Sequence, residues 1–185
     1  MKPFAFTLDS LPQIAIPYPA AGDCNEYFLR YIKLVPSGQA GSMLVSQIDQ
    51  MQQLFGNMSE SASLEVTSPW KWNLRQVLGH LGDGERVFGY RAARIAAGDT
   101  TPLPGFDQDI LVEGMQYQNV SIPTLLYEWI SLRLANIMLF SRLRTEQFIN
   151  RGTVDNNSMT VSALANIIAG HVEHHLAIIR QRVMR

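Results

Sequence analysis

The sequence predicts an all-α fold: an up-and-down four-helix bundle with an additional short N-terminal helix and a long connection between the third and fourth helices. Three observations lead to this fold class. Apolar residues recur at steps of three and four over several long segments. Glycine, proline, asparagine and aspartate divide the 185 residues into about five such segments. Alternation of apolar and polar residues, which is typical of strands, never continues for more than a few positions.

The composition fits a single domain over residues 1–185. Hydrophobic residues make up 46% of the chain, enough to bury a core without disulfide bonds. The formal net charge of −1 and the absence of a run of lysine and arginine argue against a nucleic-acid partner. The chain has one cysteine, and it lacks an apolar stretch that could serve as a signal peptide or cross a membrane. We therefore expect a cytoplasmic protein.

The N-terminal part of the chain should hold one irregular segment and two helices. Residues 1–22 are expected to be irregular because prolines interrupt them. The first helix should run from about Asp23 to Leu34 and end before Pro36. The second should run from about Ser42 to Met58, with an apolar stripe formed by Leu44, Ile48, Met51 and Phe55.

The third helix is expected from about Asn73 to Ala97, and it closes at Gly98. Asn73 is a good N-cap, and Gln76 three residues later completes a capping-box pattern. One acid, Glu85, interrupts its apolar stripe, which otherwise consists of Leu74, Leu78, Leu81, Phe88, Ala92 and Ile95.

The connection from Asp99 to Val120 is too long for a plain turn, so part of it should cover a site. Its acids Asp107 and Asp109 are expected to be solvated caps rather than ligands. The fourth helix should start near Ser121, with a stripe formed by Leu125, Trp129, Leu132, Asn136, Leu139 and Leu143.

The last helix, from about Thr160 nearly to the C-terminus, carries two histidines on its apolar face. Its stripe consists of Val161, Leu164, Ile168, His171, His175 and Ile178. Side chains four residues apart on a helix have Cβ atoms about 5–6 Å from each other, so His171 and His175 could bind the same ion. A buried imidazole without a partner costs roughly 1–3 kcal/mol, and a bound metal removes that cost. The alternative is a pair of core histidines bonded to the backbone or to Glu85.

A third histidine, His80, falls beside the stripe of the third helix, where it could face the interior of the bundle. Glycines surround it in the sequence, although each glycine destabilises a helix by about 1 kcal/mol relative to alanine. Their presence therefore indicates close helix packing or space for a ligand. Alternatively, His80 is a half-buried histidine at the edge of its helix. His174 lies about 100° around the last helix from His175, so we expect it at the solvent or behind the ligands.

The spacing of the histidines excludes two familiar metal sites. The word H-V-E-H-H at His171–His175 is neither the HExxH motif of zinc proteases nor its inverse, and the chain has no Glu-x-x-His pairs for a di-iron site. Three histidine ligands leave a coordination position open, the pattern of a catalytic metal. Zinc and nickel are the expected ions, with iron, cobalt or manganese as alternatives.

These residues resemble the DinB-like (DinB/YfiT-like metalloenzyme) superfamily of small bacterial helical bundles. The resemblance covers about residues 27–182 and rests on four words: W-N-L-R-Q-V-L-G-H-L-G-D-G-E-R at Trp72–Arg86, R-A-A-R-I-A-A-G-D at Arg91–Asp99, P-L-P-G-F-D at Pro102–Asp107 and G-H-V-E-H-H-L-A-I-I at Gly170–Ile179.

The resemblance implies a four-helix bundle, commonly a homodimer, whose metal is bound by His80, His171 and His175. Family members of known activity are thiol-dependent: S-transferases that use bacillithiol or mycothiol, and a mycothiol-dependent maleylpyruvate isomerase. The sequence is therefore interpreted as a divalent-metal-dependent S-transferase with a low-molecular-weight thiol cosubstrate and a small-molecule substrate. The alternatives are a metal-dependent hydrolase and a bundle that binds a small stress-related ligand without turnover.

Further residues could assist such a site. Glu85 could act as a base or orient a ligand histidine, and an internal salt bridge to Arg133 or Arg91 is the alternative. His174, Trp72 and Arg133 are the candidates for positions behind the ligands or along the pocket. For Trp72, before the third helix, core packing is the alternative.

Overall fold

The computed structural model describes residues 7–66 and 68–183, and this part of the chain contains seven α-helices, three short 3-10 helices and one two-stranded sheet. In chain order the elements are α1 (Glu26–Ile32), α2 (Ala40–Phe55), α3 (Glu60–Leu64), α4 (Leu74–Ala96), α5 (Gln108–Met115), α6 (Ile122–Ser141), β1 (Arg151–Val154), β2 (Asn157–Thr160) and α7 (Val161–Val183). Residues 1–6 of the predicted irregular segment lie outside the described residues. None of the described helices is long and apolar enough to cross a membrane.

Local sequence sets the starts of the long helices. The Asn73 side chain accepts a hydrogen bond from the Gln76 backbone N–H (2.9 Å), and the Gln76 side chain accepts one from the Asn73 N–H (3.1 Å). Ser121 caps α6 by accepting a hydrogen bond from the Thr124 N–H. The capping box and the five predicted helices are confirmed, with ends that differ by a few residues.

The four long helices α2, α4, α6 and α7 form the bundle. α4 packs against α6 and α7, and α2 packs against the same two helices from the other side, so α2 and α4 lie diagonally across the core. The short helix α1 covers α7. The predicted all-α four-helix bundle with a short N-terminal helix is confirmed.

Helices α4 and α6 run in the same direction. Arg75, near the start of α4, donates hydrogen bonds to the carbonyls of Gln118 (3.0 Å) and Val120 (3.2 Å), just before α6. At the other end, the Gln147 side chain donates to the carbonyl of Ala96, the last residue of α4 (3.0 Å). The long connection therefore carries the chain back along the bundle, over the roughly 35 Å length of a 23-residue helix. The predicted up-and-down order is interrupted at this point.

A β-hairpin follows α6, and the sequence does not predict it because two strands of four residues are too short to show alternation. Asp155 and Asn156 form its turn with φ values of 48° and 60°, a left-handed region that both residue types tolerate. Leu103 pairs with Val154 and accepts a hydrogen bond from the Asp155 N–H (2.9 Å). This pairing holds the segment after α4 against the hairpin turn, at one side of the bundle.

Candidate metal centre

Three histidines from two helices meet inside the bundle. α4 contributes His80, and α7 contributes His171 and His175. One ring nitrogen of each lies within 4.8 Å of the other two. His80 and His171 are buried, and His175 is partly buried. The structure thus brings together the three residues that the sequence singles out as ligands.

The spacing of these rings fits a single divalent ion. The Nε2 atoms of His80 and His171 are 3.0 Å apart, and the His175 ring centroid is 5.1 Å from that of His80 and 4.8 Å from that of His171. Two nitrogens that bind one zinc ion at about 2.0–2.1 Å lie about 3.3 Å apart in a tetrahedral site. The Nδ1 atom of His80 is buried without a hydrogen-bond partner among the described residues. Three imidazoles at this spacing are a donor set that suits zinc or nickel.

All three imidazoles are held in the neutral form. Burial lowers the pKa of His80 to about 4, and Asp109 opposes this shift. Burial also lowers the pKa of His171 well below its ordinary value, with further lowering by His175 and His80. The pKa of His175 falls in the same way, through burial first and His80 second. At neutral pH each ring therefore has an unprotonated nitrogen that a metal could use.

Glycines in α4 allow the close packing around this cluster. A Cβ atom at Gly84 would lie 2.9 Å from His171 Nδ1, closer than side chains tolerate. Gly79 similarly leaves room for the ring of Tyr117, whereas Gly82 would make only ordinary contacts. Two of the three glycines in this stretch thus permit close approach, one of them directly behind a histidine of the cluster.

A cavity of about 880 Å³ opens beside the histidines. One wall is a face of α4 on which His80, Gly84, Phe88 and Arg91 follow one another at steps of four, four and three. The other walls come from α1, α7, the segment at 105–109 and the hairpin turn, and His171 is part of the lining. A volume of this size accommodates a small organic molecule.

Sequence reasoning missed several residues that line this cavity. Arg91 lies three helical turns after His80, and this register would have identified it. Tyr31 of α1 packs edge-on against His171, with ring centroids 5.2 Å apart, and Phe106 comes from the long connection. The length of the connection predicts that part of it covers a site, but no local pattern singles out Phe106 within it or shows that α1 reaches the cavity, because tertiary packing brings both there.

Glu85 belongs to a buried ion pair. Its Oε1 accepts hydrogen bonds from Nε (2.9 Å) and Nη2 of Arg133, and its Oε2 accepts one from the Asn136 amide (2.7 Å). Arg133 also donates to Gln47 Oε1 (2.8 Å). The structure therefore contains the predicted alternative, an ion pair, with Arg133 rather than Arg91 as the partner. Glu85 makes no hydrogen bond to a histidine within the described part of the chain.

Of the other candidates, two lie beside the cluster and one lies in the core. The Trp72 ring lies 4.9 Å from the His80 ring, and the half-buried His174 ring lies 5.1 Å from the His175 ring, measured between centroids. Arg133 lies in the ion pair of the core instead, and it does not line the cavity.

The two acids of the connection lie at the mouth of the cavity. Asp107 caps α5, because its Oδ1 accepts hydrogen bonds from the N–H groups of Asp109 (2.8 Å) and Ile110 (3.2 Å). Asp109 also forms an exposed ion pair with Lys71 (2.8 Å). Both acids therefore have the solvated positions that the sequence indicates, although both also line the cavity.

Comparisons with known proteins extend this description. A family model described as the DinB superfamily matches residues 43–179, a range that includes all three histidines. No protein of curated function matches the chain. Among solved structures, YfiT from Bacillus subtilis superposes with a TM-score of 0.69 over 91% of this chain and 94% of its own, at 18% sequence identity. That protein is described as a probable metal-dependent hydrolase with an unusual four-helix bundle topology, and the likeness at this identity shows a shared fold.

Proposed function

The chain belongs to the DinB superfamily, and from this we propose that it is a metal-dependent enzyme in which His80, His171 and His175 hold one divalent ion beside the cavity. The observation that supports this most directly is the 3.0 Å separation of the Nε2 atoms of His80 and His171. Neutral imidazoles directed at one point repel one another unless a proton or a cation lies between them. A cation bound by His80, His171 and His175 together explains why all three rings converge.

The protein residues would fix both the ion and its surroundings. The lowered pKa values of the three rings leave one nitrogen of each ring unprotonated near pH 7, so the rings do not have to lose a charge before they bind an ion. Tyr31 and Trp72 pack against the rings and limit access of water. When bound, the ion would act as a Lewis acid with a coordination position open to a substrate or a thiol.

We favour transfer of a low-molecular-weight thiol to an electrophilic small molecule. In such a reaction a sulfur–carbon bond forms while the leaving group departs with its electron pair, and the thiol proton passes to solvent. The cosubstrate supplies the nucleophile, so the protein needs no buried base. This suits the cavity, because Glu85 is engaged by Arg133 and the three acids of the lining, Asp107, Asp109 and Asp155, are exposed.

Hydrolysis is the second candidate. The likeness to YfiT, itself described as a probable metal-dependent hydrolase, favours it. A hydrolase at this site would need a group that accepts a proton from water, and an exposed acid of the lining such as Asp109 would have to serve. The expected homodimer and the cytoplasmic location stay predictions, and neither reaction depends on them.

Metal analysis of protein prepared without an affinity tag tests the site. We expect about one zinc or nickel ion per chain after reconstitution, and loss of that ion in a variant with alanine at 80, 171 and 175. His174→Ala is the matched control, because it removes a histidine of the same helix that lies outside the cluster. Wild-type protein that stays metal-free after reconstitution would contradict the proposal.

Turnover assays then separate the reactions. Metal-loaded protein would be incubated with 1-chloro-2,4-dinitrobenzene and a panel of small thiols, and in parallel with 4-nitrophenyl acetate without thiol. Thiol-dependent turnover that is lost on chelation supports transfer, and ester cleavage without thiol supports hydrolysis. Metal binding without either activity would favour a ligand-binding bundle.

A further inference from the structure

Arg91 is a buried arginine at the cavity with few partners. It lies on α4, is 3% exposed and belongs to the cavity lining. A guanidinium group carries five N–H donors. Within the described ranges, 7–66 and 68–183, its one hydrogen-bond acceptor is the Pro104 carbonyl, which accepts from Nη2 (2.7 Å). Most of its donors therefore have no acceptor within those ranges.

No described carboxylate forms an ion pair with Arg91. Burial lowers the pKa of Arg91, and the negative charge of Asp155 acts in the opposite direction without making a hydrogen bond. Buried charges in proteins are normally paired with an opposite charge, because removal from water is costly. Arg133 of the same chain is paired in this way, because its guanidinium donates hydrogen bonds to the side chains of Glu85 and Gln47.

Arg91 and the histidine cluster border the same space. Phe88 lies between them on α4, with its ring centroid 6.0 Å from the His171 ring centroid and 5.9 Å from Arg91 Cζ. The ring of Phe106 lies 5.5 Å from Cζ and 6.4 Å from the Phe88 ring, measured to the centroids, so the two aromatic rings are neighbours on the same side of the guanidinium. A small molecule in the cavity could thus meet the guanidinium at one end and the histidines at the other.

We propose that Arg91 binds the carboxylate of a small organic acid whose apolar or aromatic body lies along Phe88 and Phe106. This deepens the proposed function by naming its substrate class, small monocarboxylates, and it rests on that function only for the reacting end of the molecule. A planar guanidinium matches a carboxylate through two parallel hydrogen bonds. The aromatic residues of the lining offer contact to an apolar body.

The acidic residues of the cavity lining favour a ligand with one negative charge over a ligand with two. Asp107, Asp109 and Asp155 line the same cavity as Arg91. Their combined field opposes a dianion such as phosphate more strongly than a monoanion. Inorganic phosphate is therefore a useful negative probe.

Calorimetric titration tests this with phenylacetate, its neutral analogue benzyl alcohol, and inorganic phosphate. Metal-loaded and EDTA-treated wild-type protein would be compared, so that binding to the ion and binding to Arg91 are separated. We expect phenylacetate to bind at least about tenfold more tightly than benzyl alcohol in both preparations. Equal binding of the two compounds, absence of saturable phenylacetate binding, or a preference that EDTA abolishes would overturn the proposal.

Three variants test whether Arg91 causes the preference for phenylacetate over benzyl alcohol. Arg91→Gln should lose the tenfold preference, whereas Arg94→Gln, which removes an arginine of the same helix that pairs with Asp99, should keep it. Asp155→Asn should tighten phenylacetate binding by a few fold, and asparagine tolerates the φ of 48° at this position. A preference that survives in Arg91→Gln, or a stronger preference for phosphate, contradicts the assignment. Because the EDTA-treated protein gives its own result, the carboxylate site can stand even if the metal proposal fails.

Discussion

The Nε2 atoms of His80 and His171 lie 3.0 Å apart, although the two residues are 91 positions apart in the sequence. One ring is carried by α4 and the other by α7, so the contact exists only when the bundle is assembled. An ion bound there would join two helices that local sequence does not connect. Metal binding and folding should therefore be coupled.

Removal of the metal should lower thermal stability. A ligand that binds only the folded state stabilises it by about 2.7 kcal/mol when present at about 100 times its Kd, which corresponds to roughly 5–10 °C in Tm for a chain of this size. We expect EDTA to lower the Tm of zinc-loaded wild type by this amount. The Tm of His171→Ala should not respond to zinc or EDTA, and that of His174→Ala should respond as wild type does. Identical melting curves with and without zinc would contradict a bound ion.

The metal-free protein should lose stability as the pH falls from about 6.5 towards 4. The folded-state pKa of His80 is about 4 against an ordinary value of 6.5, so below pH 6.5 the unfolded chain takes up protons that the folded chain does not. His171 and His175 shift in the same direction. Urea unfolding at pH 7, 6 and 5 measures this loss.

A His80→Gln variant serves as the comparison for that measurement, because glutamine does not titrate in this range. Its free energy of unfolding should fall less steeply with decreasing pH than that of wild type. Parallel profiles for the two proteins would show that His80 titrates similarly in the folded and unfolded states.

Gly84→Ala should weaken metal binding. The added Cβ would lie 2.9 Å from His171 Nδ1, so the imidazole must move away from its position beside His80. Displacing a ligand in this way costs roughly 10–100-fold in metal affinity. Gly82→Ala is the control on the same helix, because its Cβ meets other atoms only at 3.5 Å or more. Competition with a chromogenic chelator gives both affinities, and equal values would argue against a site that depends on the position of His171.

The Glu85–Arg133 pair should matter for stability rather than for metal content. Both side chains are buried, at 2% and 0% exposure, so Glu85→Gln leaves the Arg133 charge without its partner, at about 3–5 kcal/mol. The exposed pair of Arg144 and Glu146 is the contrast, and Glu146→Gln should change stability by less than about 1 kcal/mol. Denaturant unfolding checks both values. A Glu85→Gln protein with wild-type stability but no turnover would restore the predicted catalytic role.

The sequence by itself determined the helices and the faces that they bury. The capping box at Asn73, the serine cap before α6 and the apolar stripes located the long helices to within a few residues. The spacing of His171 and His175 placed both on one face of α7. These are local properties, because helix periodicity and capping depend on residues three or four positions apart.

Only the tertiary structure decided what each face meets. Glu85 and Arg91 share one helix, yet α6 gives Glu85 a partner, while Arg91 borders an open cavity formed by α1, the long connection and the hairpin turn. The direction of α6 is set by the connection that returns along the bundle. Periodicity tells which side of a helix is buried, but the identity of the neighbour follows from chain connectivity and from packing between segments far apart in sequence.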